Sequence, residues 1–156
     1  MSFIKSKSEL IEYFSKGIKN QNQLKIGVEH EKFLFSGKEK RRVNYKELKL
    51  IFKKLEKFDW KPIYEKESVI GLKRGEQQIT TEPGLQYELS GAPLKNIHLV
   101  CSESSSHFKE IKEATKDTEI RTASIGFDPF NNLEQVPQNP KERYRIMTNE
   151  MPKDGE

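Results

Sequence analysis

The spacing of apolar residues changes at Trp60, and that change restricts the folds open to this chain. Before it, Asn44-Tyr45-Lys46-Glu47 has the form of a capping box, followed by Leu48, Ile51, Phe52 and Leu55 at i, i+3, i+4 and i+7. That spacing gathers apolar side chains on one side of a helix, which it predicts to about residue 57. After Trp60, Pro62, Gly71, Gly75, Pro83 and Gly84 punctuate short runs such as VIGLK, QITTE and QYELS. These read as antiparallel strands, with a hairpin turning near Arg74-Gly75-Glu76. Helices and strands in separate blocks imply an α+β architecture, an antiparallel β-sheet with helices packed on one face.

The flanks extend this pattern. Ser6-Lys7-Ser8-Glu9 is a second capping box, opening a helix with Leu10, Ile11, Tyr13 and Phe14 that ends at Gly17. Residues 24–35 read as a strand between polar NQNQ and Ser36-Gly37. Pro93 opens the longest helix, to about residue 116, with Leu94, Ile97, Val100/Cys101, Phe108 and Ile111 along one side. A strand over 122–127, a loop over 131–140 and an amphipathic segment over 141–151 complete the series. With 156 residues the chain is expected to form one domain, 1–156, and the closing MPKDGE completes no element. The sequence therefore suggests the front part of a larger domain.

Charge and cysteine content exclude some functions. Only six of 28 basic residues are Arg, and Lys and Arg are interleaved with 24 acids rather than gathered into a patch. A lysine-rich solvated surface accounts for the basic pI near 9.0 better than a nucleic-acid partner does. The KEKRR cluster, residues 38–42, reads as a connection between elements. A single cysteine, Cys101, permits no internal disulfide and no thiolate metal cluster, and is expected in the core. No run is long and apolar enough for a signal peptide or a membrane span, so a cytoplasmic protein is expected. His98 and His107 are too far apart for a helical metal pair, and no Walker-type glycine loop or GxSxG elbow occurs.

Acidic residues carry the chemistry. On a strand over 24–35, Glu29 and Glu31 share a face with Gly27 and Phe33, while Ile26, Val28 and Leu34 take the buried one and His30 packs opposite the acids. Adjacent like charges repel, so a solvated strand and a cation site remain alternative readings. In TTEPGLQYELSGAP, Glu82, Gln86 and Glu88 share parity. If that strand pairs with 24–35, Glu29, Glu31, Glu82 and Glu88 converge, a set of hard oxygen donors suited to Mg²⁺ and nucleotide phosphates.

The motifs IGVEHEKF, TEPGLQYELSGAPLKNIH, SIGFDP and PKERYRIM.NEMPK, in this order, resemble glutamate–cysteine ligases of the plant and proteobacterial type. The resemblance runs over residues 24–153, and EPGLQYELSGAP is its most specific part. It implies a glutamine synthetase-like catalytic domain, here incomplete, and ATP-dependent ligation of the glutamate γ-carboxylate to cysteine through an acyl phosphate. That reaction is the first step of glutathione biosynthesis. It also implies Glu29, Glu31 and Glu88 as metal ligands, Glu82 as a fourth, Mg²⁺ and ATP as cofactor and co-substrate, and Arg143 as the catalytic-site arginine holding a substrate carboxylate. Three positions depart from the pattern: Leu85 stands for a glycine, and Thr148 and Glu150 for an arginine and a tyrosine. The last two leave a different amine acceptor open, and the abrupt end leaves open a non-catalytic remnant.

Overall fold

The computed structural model describes residues 3–154; Met1-Ser2, and Gly155-Glu156 at the end of MPKDGE, lie outside the described residues. Helix α1 (Lys7–Ser15) precedes strands β1 (Glu29–Ser36) and β2 (Arg41–Arg42), then helix α2 (Tyr45–Leu55). Four strands follow: β3 (Lys61–Glu65), β4 (Ser68–Arg74), β5 (Gln77–Thr81) and β6 (Tyr87–Ser90). Helix α3 (Ile97–Thr115), strand β7 (Ile120–Ala123) and helix α4 (Glu142–Asp154) complete the chain. Among the described residues, seven strands form one antiparallel sheet ordered β2-β1-β6-β5-β4-β3, with β7 also paired to β1. The fold is α+β, as expected.

Register assigns the faces. Lys32 lies opposite Tyr87 and His30 opposite Leu89, and β6 continues the rows to Thr81 and Ile79 of β5. Tyr87 stacks on His107 of α3 with ring centroids 5.5 Å apart, so this row faces the helices. There Leu34, Leu72, Ile79, Tyr87 and Leu89 meet Leu48, Ile51, Phe52 and Leu55 of α2 and Ile111 and Ala114 of α3 in one core. Asn44 Oδ1 accepts the Glu47 amide and Glu47 returns the bond to the Asn44 amide, completing the predicted capping box that starts α2. At the far end, buried Trp60 donates to Glu110 Oε2 at 2.8 Å while Arg74 lies 4.3 Å over its ring, tying α3 to the β4 end of the sheet. Strands β4 and β5 are drawn so close at Gly71 that a Cβ there would meet Ile79 O at 2.5 Å.

Several expectations shift. The strand predicted over 24–35 is laddered only from Glu29; before it, Ile26 exchanges both backbone bonds with Leu94 as an isolated bridge. Its partner beyond Ser90 runs through Gly91-Ala92-Pro93, and Pro93 has no N–H to continue the ladder. Of the three residues expected on the buried face, Leu34 is buried, Val28 half-buried and Ile26 exposed. Helix α1 is capped by Ser6, but Glu9 reaches the Lys5 amide rather than closing the box, and none of its residues is buried. Helix α3 starts after Asn96, not at Pro93, and buries Val100, His107, Ile111 and Ala114. Phe108 and Cys101 sit a step of about 100° around the helix from this stripe and are exposed, so Cys101 is not a core residue. The strand expected over 122–127 is β7, two residues earlier, and leaves Phe127 exposed.

Candidate metal centre

The face opposite α2 and α3 is acidic. Glu31 lies directly across from Glu88, and Glu88 from Thr80. Glu82 joins them from the turn between β5 and β6. In that turn Leu85 N bonds Glu82 O at 2.9 Å and Glu82 N bonds Gln86 O at 3.0 Å, with Pro83 second in the turn and Leu85 left-handed at φ 58°. A three-residue hairpin loop of this kind ends in a left-handed residue, usually glycine, before the strand resumes. This geometry explains why glycine suits position 85; Leu85 takes it while burying its side chain in the core.

Glu31, Glu82 and Glu88 each offer an oxygen, all within 4.8 Å of one another. They are the only cluster of this kind among the described residues. Oxygen ligands to Mg²⁺ or Ca²⁺ sit about 2.1–2.5 Å from the ion, so oxygens across it are about 4–5 Å apart and this donor set fits a hard divalent cation. Ser90 Oγ donates to Glu88 Oε1 at 2.6 Å and orients that largely buried carboxylate. Burial, with the hydrogen bond and charge of Glu88 and the charge of Glu31, pushes the Glu82 carboxyl above its ordinary range. The structure places Glu29 two residue pairs further along, opposite Ser90 and outside the cluster.

Basic groups close one side. Lys141, buried, donates to Thr81 O at 2.9 Å; burial and neighbouring Arg143 lower its pKa, while Glu82 and Glu88 oppose that shift. Arg143 is exposed, donates to Tyr144 Oη at 2.6 Å and lies 4.6 Å over its ring; this bond, with the charges of Tyr144, Glu82 and Glu65, raises its pKa. Asn139 Nδ2 fastens the same segment to the sheet through Thr81 O, Thr81 Oγ1 and Glu82 O at 2.8–3.0 Å. Beside the acids a cleft of about 880 Å³ is lined by Phe33, Arg42, Gln86, Lys141, Tyr144 and Thr148 among others. Thr148 thus lines this cleft, whereas Glu150 is an exposed partner of Lys153. Sequence reasoning singled out Arg143 in PKERYRIM and passed over Lys141 and Asn139. Their one signal was adjacency to Arg143, since their value comes from Thr81, about 60 residues away.

Known proteins resemble this chain over most of its length. The family model described as glutamate-cysteine ligase family 2 (GCS2) matches residues 25–156. The chain is 44% identical over 151 residues to the glutamate–cysteine ligase A, chloroplastic, of Oryza sativa subsp. japonica, covering 96% of this chain and 31% of that one. The glutamate–cysteine ligases, chloroplastic, of Nicotiana tabacum and Arabidopsis thaliana are each 40% identical over 151 residues and covered to 29% of their length. The chain spans less than a third of these curated relatives. The expectation of a cytoplasmic protein is corrected here, because these relatives are chloroplastic. Its criterion, a missing apolar run, tests for secretion and is blind to organelle transit peptides, which are Ser- and Arg-rich and amphipathic. With its ordered motifs, its acidic sheet face and a family match over most of its length, this chain belongs to glutamate-cysteine ligase family 2.

Proposed function

We propose that the protein carrying this chain joins the γ-carboxylate of glutamate to the amine of cysteine at the expense of ATP, the first step of glutathione biosynthesis. Glu31, Glu82 and Glu88 would hold Mg²⁺, which when bound neutralises phosphate charge during phosphoryl transfer. The observation that carries this reading is their convergence from two strands and a turn, an arrangement costly in repulsion without a cation. Glu29 adds negative charge two register positions away. Arg143 presents an exposed guanidinium whose planar fork suits a substrate carboxylate. Lys141, buried beside the acids, places an amine where phosphate charge would develop. Alignment and charge neutralisation are what such a ligation needs: the glutamate carboxylate displaces ADP to give the acyl phosphate, and the cysteine nitrogen then displaces phosphate.

The test is ADP release by the protein carrying this chain. ADP is expected only when glutamate, cysteine, ATP and Mg²⁺ are all present, and Glu88→Gln is expected to abolish it with the fold retained. ADP release with another amine but none with cysteine would favour a related ligase, a reading that Thr148 at the cleft supports. Full turnover in Glu88→Gln would remove the metal assignment.

A further inference from the structure

Arg42, read in the sequence as part of a connection, is buried at the cleft floor. Its guanidinium donates to Gly84 O in the turn that begins at Glu82, and to Asp128 Oδ2 at 3.3 Å. Its charged plane lies 4.6 Å from the Phe33 ring centre, which fixes the side chain over β1. Asp128 is itself held, accepting from the Phe130 amide at 2.9 Å and the Asn131 amide at 3.1 Å through Oδ1, and from Asn131 Nδ2 at 3.1 Å. One guanidinium therefore joins the sheet, the Glu82 turn and the segment that walls the cleft. On that side the turn is packed closely: a Cβ on Gly84 would lie 2.7 Å from Val136 Cγ1 and 2.9 Å from Gln86 Oε1, both side-chain ends.

We infer that Arg42 is a positioning residue for the metal centre: its bridge between Gly84 O and Asp128 holds the Glu82 carboxylate toward Glu31 and Glu88. This rests on the metal reading above and adds a residue that touches neither cation nor substrate. The turn bonds transmit the restraint. Glu82 and Gly84 share a loop closed by Leu85 N to Glu82 O, so displacing the Gly84 carbonyl carries Glu82 with it. Phe33 and the Asp128 turn are anchored elsewhere, so the restraint has a fixed base. Groups that orient a ligand without touching the metal typically change affinity about 10–100-fold.

Mn²⁺ titration of the protein carrying this chain, followed by electron paramagnetic resonance, tests this with four variants. Glu88→Gln is expected to lose binding, and Arg42→Met to weaken it about tenfold while keeping the aliphatic stem against Phe33. Glu82→Gln is expected to weaken binding in the parent yet add less than about twofold in the Arg42→Met background, because Arg42 acts through Glu82. General loosening of the fold would not give that loss of additivity. Should Arg42→Met fail to fold, Arg42→Lys carries the test, since an ammonium keeps the charge but not the guanidinium fork bridging both partners. Parent-like binding by the folded Arg42 variant, or independent effects of Arg42 and Glu82, overturns the positioning role while the Glu88 result upholds the metal. Unaltered binding in Glu88→Gln overturns the metal reading and this inference with it.

Discussion

Glu31 and Lys32 are adjacent on β1 and occupy opposite environments. Lys32 points to the helix face, 1% exposed, with Nζ 3.4 Å from the His30 carbonyl and 4.8 Å from the Phe108 ring centre. Burial alone lowers it to about 8. Below it, Tyr87 and His107 are stacked, and the Tyr87 hydroxyl and both His107 nitrogens are buried without a hydrogen-bond partner among the described residues. Glu31 points the other way, exposed, into a group of acids that repel one another. Both faces therefore carry unfavourable polar groups, but of different kinds. The helix face disfavours charge by desolvation, and packing offsets the cost. The acidic face disfavours it by burial of Glu82 and, in addition, by like-charge repulsion, the part that a cation can reverse.

The two costs have opposite pH signatures, which gives the largest expected effect. His107 is held neutral in the folded protein, lowered to about 3 chiefly by burial and further by Lys32, His30 and Arg74. Its unfolded value is near 6.5, so its contribution is complete above that pH and is lost as pH falls toward 3. The loss amounts to as much as about 5 kcal/mol across the window. His107→Phe keeps a ring against Tyr87 and removes the titration. Urea unfolding at pH 7 and pH 4 is expected to show a smaller acid loss in His107→Phe than in the parent. Equal losses would remove His107 as the source.

A smaller contrast lies three residues apart on one strand. Leu34 is 1% exposed in the core, and Leu34→Ala should cost about 3 kcal/mol in urea unfolding through lost burial and an unfilled cavity. Glu31→Gln, made on the exposed face, should leave metal-free stability within about 0.5 kcal/mol and act on cation binding instead. If both variants destabilise alike, the division of β1 into a packing face and a binding face is wrong.

Much of this division was legible because it rests on local rules. Strand alternation separated Glu29 and Glu31 from Leu34, capping residues located α2, and Gly75 marked the β4–β5 hairpin. What escaped were features set by distant partners. Where the β1 ladder begins depends on Pro93; that Glu29 falls outside the cluster depends on register against Ser90; and Arg42 looks like any residue of KEKRR until Gly84 and Asp128 are brought to it. Along α3 the expected stripe chose Phe108 for its hydrophobicity, while packing against Tyr87 selected His107. Leu85 was noticed as a replaced glycine, but only the backbone shows the cost, a side chain at φ 58° held in place by its burial.

The smallest expected effect is also the one that changes sign. Burial first, then the hydrogen bond and charge of Glu88 and the charge of Glu31, raise the Glu82 pKa in the folded protein. A carboxyl with a raised folded pKa contributes its stability below the unfolded value and loses it as pH rises through the folded one. At pH 7 with chelator, Glu82→Gln should therefore be more stable than the parent, by about 0.5 kcal/mol for relief of like-charge contact. Mg²⁺ reverses the order. A cation at ten times its dissociation constant adds about 1.4 kcal/mol to the form that binds it, and the parent is that form. Melting curves of both proteins with chelator and with Mg²⁺ should cross. A parent already more stable in chelator would mean that repulsion is not what this face stores. Curves that stay parallel when Mg²⁺ is added would mean that no cation relieves it.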